Sequence, residues 1–506
     1  MKKLYLIIAL IFTCSIVYAE EKIEAKKELL PPPKEEVVET SHSVTIDGKT
    51  IAYKAIAGNI VLKDDQGKEK ASIFYVAYIK DGERSKDRPI TYSFNGGPGS
   101  SSIWLHLGVF GPQRILFNEE GPSTPPYGTV NNDYSILDLT DLVFIDPVST
   151  GYSRAVPGED AKQFHGVEED VESIGKFIRI FSSRYGRWDS PKYLAGESYG
   201  TTRAAALSEQ LFDKHRMYIN GIILISSILN FQTLNDPQNG NDLPYAMSIP
   251  TFTATAWYHK KLAPELQEDF AKALKLSEEF ALGDYSLALL QGDLINPKKK
   301  EEIIDRVAYF SGLSRDFVSR SNMRVNNFRF AKELLRSDRR TVGRFDSRFK
   351  GIDSDAASSH AESDPSADAI FGPFAGAFNE YVRSQLNWKE DKEYNVLVSL
   401  GQWNYSKTGN SFLNVAEKLR EVMTVVPGMR VFVGSGYFDL ATPYFGSDYT
   451  MTHLGLDPSL RPYLTMKYYE AGHMMYIHPA SLKKMKKDLV EFYTNPGPKV
   501  RNPILR

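Results

Sequence analysis

Apolar residues recur along this chain in two rhythms. "HSVTIDG" (42–48), "TIAYKAIAG" (50–58), "ASIFYVAYIK" (71–80) and "PITYSFNGG" (89–97) are strand-like runs closed by Gly or Asp turns. Their close succession predicts an antiparallel opening to a sheet. "DLVFIDP" (141–147), "PKYLAG" (191–196) and "NGIILISS" (220–227) are short, nearly continuous apolar runs, the pattern of parallel strands buried on both faces. "MRVFVGSG" (429–436) and "YLTMKYYE" (463–470) add two more strands late in the chain. Helical spacing appears between them. Val171, Ile174, Phe177, Ile178 and Phe181 fall on one face, Thr201 to Phe212 is rich in Ala and Leu, and a last helix is predicted from Pro479 to Tyr493. Strand–helix alternation of this kind predicts an α/β architecture around a mostly parallel central sheet.

Between residues 231 and 385 the rhythm changes to amphipathic, Lys- and Glu-rich helices without clear strands. The α/β core is therefore divided into residues 41–230 and 386–506, with 231–385 inserted as a helical cap over one end of the sheet. Within the cap, Asp353 to Asp368 is rich in Asp, Ser and Ala but lacks the glycine and ligand spacing of a calcium-binding EF-hand loop. It reads as a solvated loop. There is no fixed-period repeat.

The first residues change the picture of where the protein works. Lys2 and Lys3 precede an apolar run from Leu4 to Val17 and a small residue, Ala19, before Glu20. This is the pattern of a cleavable signal peptide over residues 1–19. The run is short for a membrane span, and Ile11-Phe12-Thr13 ahead of Cys14 is a poor lipidation site. Residues 20–40, charged and broken by Pro31-Pro32-Pro33, read as a disordered leader. An exported, periplasmic or secreted protein follows, with no membrane insertion of the mature chain. Cys14 is the only cysteine among 506 residues, so disulfides cannot staple the mature fold. A formal charge of −2 gives no reason to expect nucleic acid as a partner. The oligomeric state is not legible.

"GESYG" (196–200) follows the predicted strand "PKYLA" and precedes a helix. That is the context in which Ser198 would stand on a nucleophile elbow. A serine hydroxyl is a weak nucleophile and needs a base, oriented in turn by a carboxylate. On this fold class those partners follow in the order Ser, Asp or Glu, His, on loops after later strands. Asp439 lies three residues beyond "MRVFVGSG", and three histidines follow it: His453, His473 and His478. His453 falls in a predicted helix and His478 directly precedes Pro479; His473, in "EAGHMM" between a strand and the last helix, has the required loop placement. An oxyanion hole needs backbone N–H groups. "FNGGPGSSS" (94–102) offers a glycine turn after a strand, which can bring the N–H of Gly97 beside that of Tyr199. This chemistry calls for no metal and no organic cofactor.

Taken together and in this order, "NGGPGSSS", "FIDPVSTGYS", "GESYG", "GYFD" and "AGHM" resemble the serine carboxypeptidase family. The resemblance spans about residues 85 to 490, the cap only in outline. It implies an α/β-hydrolase fold, with Ser198 as nucleophile, His473 as base, Asp439 as its orienter, and Gly97 and Tyr199 as oxyanion donors. It also implies that Asn95 and Glu197 bind the free α-carboxylate of a peptide substrate, two facing carboxyls sharing a strong hydrogen bond when one is protonated. The expected activity is removal of C-terminal residues from peptides through an acyl-enzyme on Ser198, favoured at acidic pH. Several positions depart from the family pattern. Ser93 stands where many relatives have tryptophan, Val109 where they have a second glutamate, and Ser100, Thr442 and Tyr444 replace two cysteines and a tryptophan. These departures keep open an acyltransferase or esterase using the same triad. A catalytically silent envelope-binding protein on a hydrolase scaffold is the alternative from another class.

Overall fold

The computed structural model describes residues 34–83, 85–118, 121–122, 125–234, 240–405, 412–426, 428–495 and 497. The expected signal peptide, residues 1–19, and the expected leader as far as residue 33 lie outside the described residues. The leader expected to continue to residue 40 ends earlier. Strand β1 begins at Val37, and just ahead of it Glu35 pairs with Arg184 and accepts from the Val61 N–H at 2.8 Å.

The main sheet is built from β1 (Val37–Ile46), β2 (Lys49–Lys63), β3 (Glu69–Lys80), β4 (Ile90–Phe94), β5 (Asp141–Ile145), β6 (Lys192–Glu197), β7 (Gly221–Ile225), β8 (Arg430–Gly436) and β9 (Leu464–Tyr469). The two-residue strand Arg154–Ala155 pairs with β3 as a tenth. Spatial order is β1-β2-β3-β5-β4-β6-β7-β8-β9. The first three strands are antiparallel, β3 meets β5 antiparallel, and every later pairing is parallel. This is an α/β-hydrolase fold: a mostly parallel sheet with an antiparallel N-terminal edge and an inserted helical block. One expectation is corrected. "PITYSFNGG", grouped above with the antiparallel opening, forms β4, which runs parallel to both its neighbours. All five of its residues are buried, as befits a strand covered on both faces.

Alternation along the strands feeds two cores. On β3, Ile73, Tyr75 and Ala77 face one side while Phe74, Val76 and Tyr78 face the other. The first side is covered by α1 (Val167–Arg184), α2 (Tyr199–His215) and the helix Ala416–Val425. The second is covered by the helices Pro365–Ser384 and Pro479–Thr494. The inserted helices between Leu243 and Leu335 build a separate cluster around Phe252, Ile303, Val307 and Phe330, which also takes in Leu440, Tyr444 and Phe445 from beyond β8. The stretch from Asp353, read above as a solvated loop, is partly tied down. Asp353 is buried against Lys332 and accepts from Thr341 Oγ1 at 2.6 Å, and a helix starts at Pro365. Among the described residues no helix is long and apolar enough to cross a membrane.

Strand register does most of the work of assembling the site. Phe94 pairs with Gly196 and Glu197 with Ile225. Asn95, the residue just beyond β4, is thus carried alongside Glu197, and Ser198 follows at the same edge. Asp439 leaves the end of β8 and His473 the end of β9, whose last pair is Gly436 with Tyr469. All these residues collect at the carboxyl ends of parallel strands, where open α/β sheets place their ligands.

Candidate active site

Ser198 takes φ 58° and ψ −130°, a conformation costly for any residue with a side chain and found where a nucleophile is held proud of a sheet. Its N–H donates to Ile225 O at 3.0 Å, and α2 starts at the next residue. The turn admits only glycine on either side. A Cβ on Gly196 would lie 2.1 Å from Gly200 O, and one on Gly200 2.8 Å from Phe94 O. The two glycines of "GESYG" are therefore there to let strand, helix and β4 cross. Ser198 lines a cleft of about 530 Å³ together with His473, Asn95, Glu197, Gly97 and Tyr199.

His473 is joined to Asp439 through Nδ1 and Oδ2 at 2.7 Å, both groups buried. The carboxylate is itself fixed, accepting from the N–H groups of Ala441 (2.8 Å) and Thr442 (2.9 Å) and from Thr442 Oγ1 (2.6 Å). Burial works against an imidazolium at His473, but the charge and hydrogen bond of Asp439 outweigh it and raise the pKa. The Thr442 hydroxyl thus serves as a third donor to Asp439. The imidazole is steadied from the insertion as well. Its N–H of the main chain donates to Phe345 O at 2.6 Å, and the Phe345 ring lies 5.1 Å from it, centroid to centroid. His453 instead bonds Tyr449 O at the end of its helix, and His478 contacts Ser481 Oγ at 2.8 Å. Neither lines the cleft.

The glycine turn lies hard against the elbow: a Cβ on Gly96 would sit 2.4 Å from the backbone N of Tyr199. Tyr199 occupies the first turn of α2, where backbone N–H groups have no partner within the helix. Gly97, at φ 101°, continues the same turn along the cleft wall. Two backbone segments carrying donors thus converge next to Ser198.

Glu197 forms the floor. Its Oε1 accepts from Asn95 Nδ2 at 3.1 Å and its Oε2 from the Tyr476 hydroxyl at 2.6 Å. The residue is 3 % exposed. Burial pushes its pKa up to about 7, against the opposing pull of His473 and of these two hydrogen bonds. Asn95 is fixed in turn, its Oδ1 accepting from Leu105 N–H at 3.1 Å and its main-chain O from Arg203 Nη1 at 2.6 Å. Arg203 is buried and paired with Asp170 at 2.7 Å. The family departures fall in different places. Ser93 and Val109 are buried and absent from the cleft lining, whereas Ser100 lines it and accepts from Trp104 Nε1 at 2.8 Å. Tyr444 bonds Glu278 at 2.7 Å inside the inserted cluster.

The sequence reading overlooked Tyr476, Arg203, Phe345 and the wall segment Leu397–Ser399. Tyr476 stands three residues after His473 in "AGHMMY", and that proximity was the one local hint available. Leu397 bridges Ser100 and Val398 N–H donates to Gly99 O at 3.0 Å, contacts nearly 300 residues apart that leave no local signal. Among the described residues, no group of three or more His, Cys, Asp or Glu is placed to hold a metal ion.

Comparison with known proteins finds relatives over most of the chain. The chain is 24 % identical over 422 residues to serine carboxypeptidase-like 34 of Arabidopsis thaliana, covering 80 % of this chain and 75 % of the relative. It is 30 % identical over 162 residues to a carboxypeptidase Y homolog of Arthroderma benhamiae, covering 31 % of this chain and 29 % of the relative. Among solved structures it is similar to the peroxisomal alpha-beta-hydrolase Lpx1 of Saccharomyces cerevisiae, at 10 % identity and a TM-score of 0.32 over 92 % of this chain and 90 % of that one. The family model described as serine carboxypeptidase matches residues 48–478, and the chain, a serine hydrolase by its family, belongs to the serine carboxypeptidase family.

Proposed function

We propose that this serine hydrolase is a serine-type carboxypeptidase, exported through its N-terminal segment and acting on peptides with a free C-terminus. Ser198 Oγ attacks the last peptide carbonyl while His473 Nε2 takes its proton, with Asp439 holding the ring through Nδ1. The developing oxyanion is received by the N–H groups of Gly97 and Tyr199. His473 then protonates the departing amino acid, and water activated by the same ring releases the shortened peptide from the acyl-enzyme. The observation that carries the peptidase reading is Glu197: a buried carboxyl next to the nucleophile, held by Asn95 and Tyr476, with its pKa at about 7. Protonated, it donates to a substrate carboxylate; ionised, it repels one. Peptide cleavage is accordingly favoured on the acidic side of neutrality.

The burial of Ser93 and Val109 away from the cleft supports keeping an esterase or acyltransferase as the second reading. Mass spectrometry of free and C-terminally amidated peptides separates the two. Loss of single residues from free peptides alone supports the carboxypeptidase. Cleavage of small esters without trimming of any peptide overturns it. Failure of Ser198 to label with a fluorophosphonate would favour a silent binding protein.

A further inference from the structure

Among the described residues, three ionisable side chains of acidic or basic type line the cleft: Glu197, His473 and Arg344. Arg344 comes from the insertion and has no part in the chemistry described above. Its backbone is clamped between two elements, its N–H donating to Asp364 Oδ1 and its carbonyl accepting from Leu440 N–H, both at 3.0 Å. Leu440 directly follows Asp439, and the residue after Arg344, Phe345, is the one that holds His473. Arg344 is therefore fixed in register with the triad.

Its guanidinium is not consumed by the described residues. The side chain is half-buried, with Cζ 4.6 Å from the Phe345 ring centroid and 5.8 Å from that of Phe328. Among the described residues it makes no ion pair and no side-chain hydrogen bond. Arg348, four residues on, shows the contrast: it holds Asp346 through Nε (3.0 Å) and Nη2 (2.6 Å) and donates to Glu470 O at 2.9 Å. A guanidinium has five N–H donors in a planar fork suited to a carboxylate. Held against the Phe345 ring on the cleft wall with those donors unspent, it is available to a carboxylate in the cleft.

We infer that Arg344 is a specificity residue that binds an acidic side chain of the substrate, on one of the two residues flanking the scissile bond. The inference rests on the carboxypeptidase reading, in which the α-carboxylate occupies the buried floor at Asn95 and Glu197. A second carboxylate of the same substrate would then meet the half-buried wall. Aspartyl or glutamyl peptides are the class selected.

The test uses the full-length enzyme and two matched pairs of blocked dipeptides, ending in Ala-Glu against Ala-Gln and in Glu-Ala against Gln-Ala. At pH 6 a glutamyl side chain is largely ionised. The wild type is expected to favour the acidic member of one pair by about tenfold in kcat/KM, the size of a charge-assisted hydrogen bond. R344Q is expected to bring that ratio within about twofold of unity, and R344K to retain part of it. A wild type indifferent to both pairs overturns the proposal, as does an R344Q enzyme that keeps the ratio. If no peptide is trimmed, the carboxypeptidase reading fails separately. The Arg344 ratio is then read on mono-p-nitrophenyl glutarate against p-nitrophenyl butyrate, with the same two outcomes.

Discussion

Tyr476 donates its hydroxyl to Glu197 at 2.6 Å, which ties the loop carrying His473 to the residue next to Ser198. That bond favours the ionised form of Glu197 and holds its pKa below where burial alone would put it. In Tyr476→Phe the pKa should rise further, so the alkaline limit of peptide cleavage should move up by roughly half a unit to one unit. Profiles of kcat/KM against pH for a free peptide and for a neutral ester check this. A downward shift, or an equal shift for the ester, would contradict the assigned role.

Replacing Glu197 by Gln removes the titration altogether. Wild-type peptide cleavage should decline as pH rises through about 7, whereas Glu197→Gln should lose that step. Ester cleavage should rise with pH in both enzymes as His473, its pKa raised by Asp439, loses its proton. The same substitution has a stability signature. Glu197 binds its proton more tightly folded than unfolded, so its stabilising effect is present at low pH and disappears as pH rises through about 7. At pH 8 the Gln variant should be more stable than wild type by on the order of 1–3 kcal/mol, and at pH 4 the two should converge. Urea unfolding at the two pH values decides it.

In the proposed mechanism Asp439 and Thr442 act on the base, His473, rather than on substrate. Asp439→Asn should lower kcat about 10⁴-fold by favouring the wrong imidazole tautomer. Thr442→Val, which removes only one of three donors to the carboxylate, should cost roughly threefold to tenfold. Both losses should appear equally on peptides and esters. A selective effect on peptides would mean that Thr442 contacts substrate.

Arg203 should matter for stability more than for chemistry. Its removal strands a buried Asp170 and frees the main chain of Asn95. Arg203→Met should destabilise by about 3–5 kcal/mol, and adding Asp170→Asn should recover part of the loss. Chemical denaturation of the two variants tests this; equal stabilities for both would show that the ion pair is not the source.

Much of this could be read in the chain before folding, but unevenly. The meeting of Ser198, Asp439 and His473 at one edge of the sheet was legible because each sits just after an apolar strand pattern, and because chain order restricts the candidate partners of Ser198 to a few residues. His473 was separated from His453 and His478 by loop placement alone. β4 was misread as antiparallel because its five residues look alike in either direction; only its neighbours, β5 and β6, reveal the pairing. Asp353 was misread as solvated because its partner Lys332 stands on another element.

Local periodicity and turn chemistry thus determined the strands, the turn at Ser198 with its two glycines, and the placement of Ser198, Asp439 and His473 each just beyond a strand, since each of these depends on residues within one short window. Tertiary structure alone decided the parallel register that brings Asn95 beside Glu197, the burial that carries Glu197 to about 7, the Tyr476 hydroxyl that meets it, and the place of Arg344 on the cleft wall, its guanidinium unpaired among the described residues. Those features arise from desolvation and from contacts between segments far apart in the chain, quantities that no window of sequence contains.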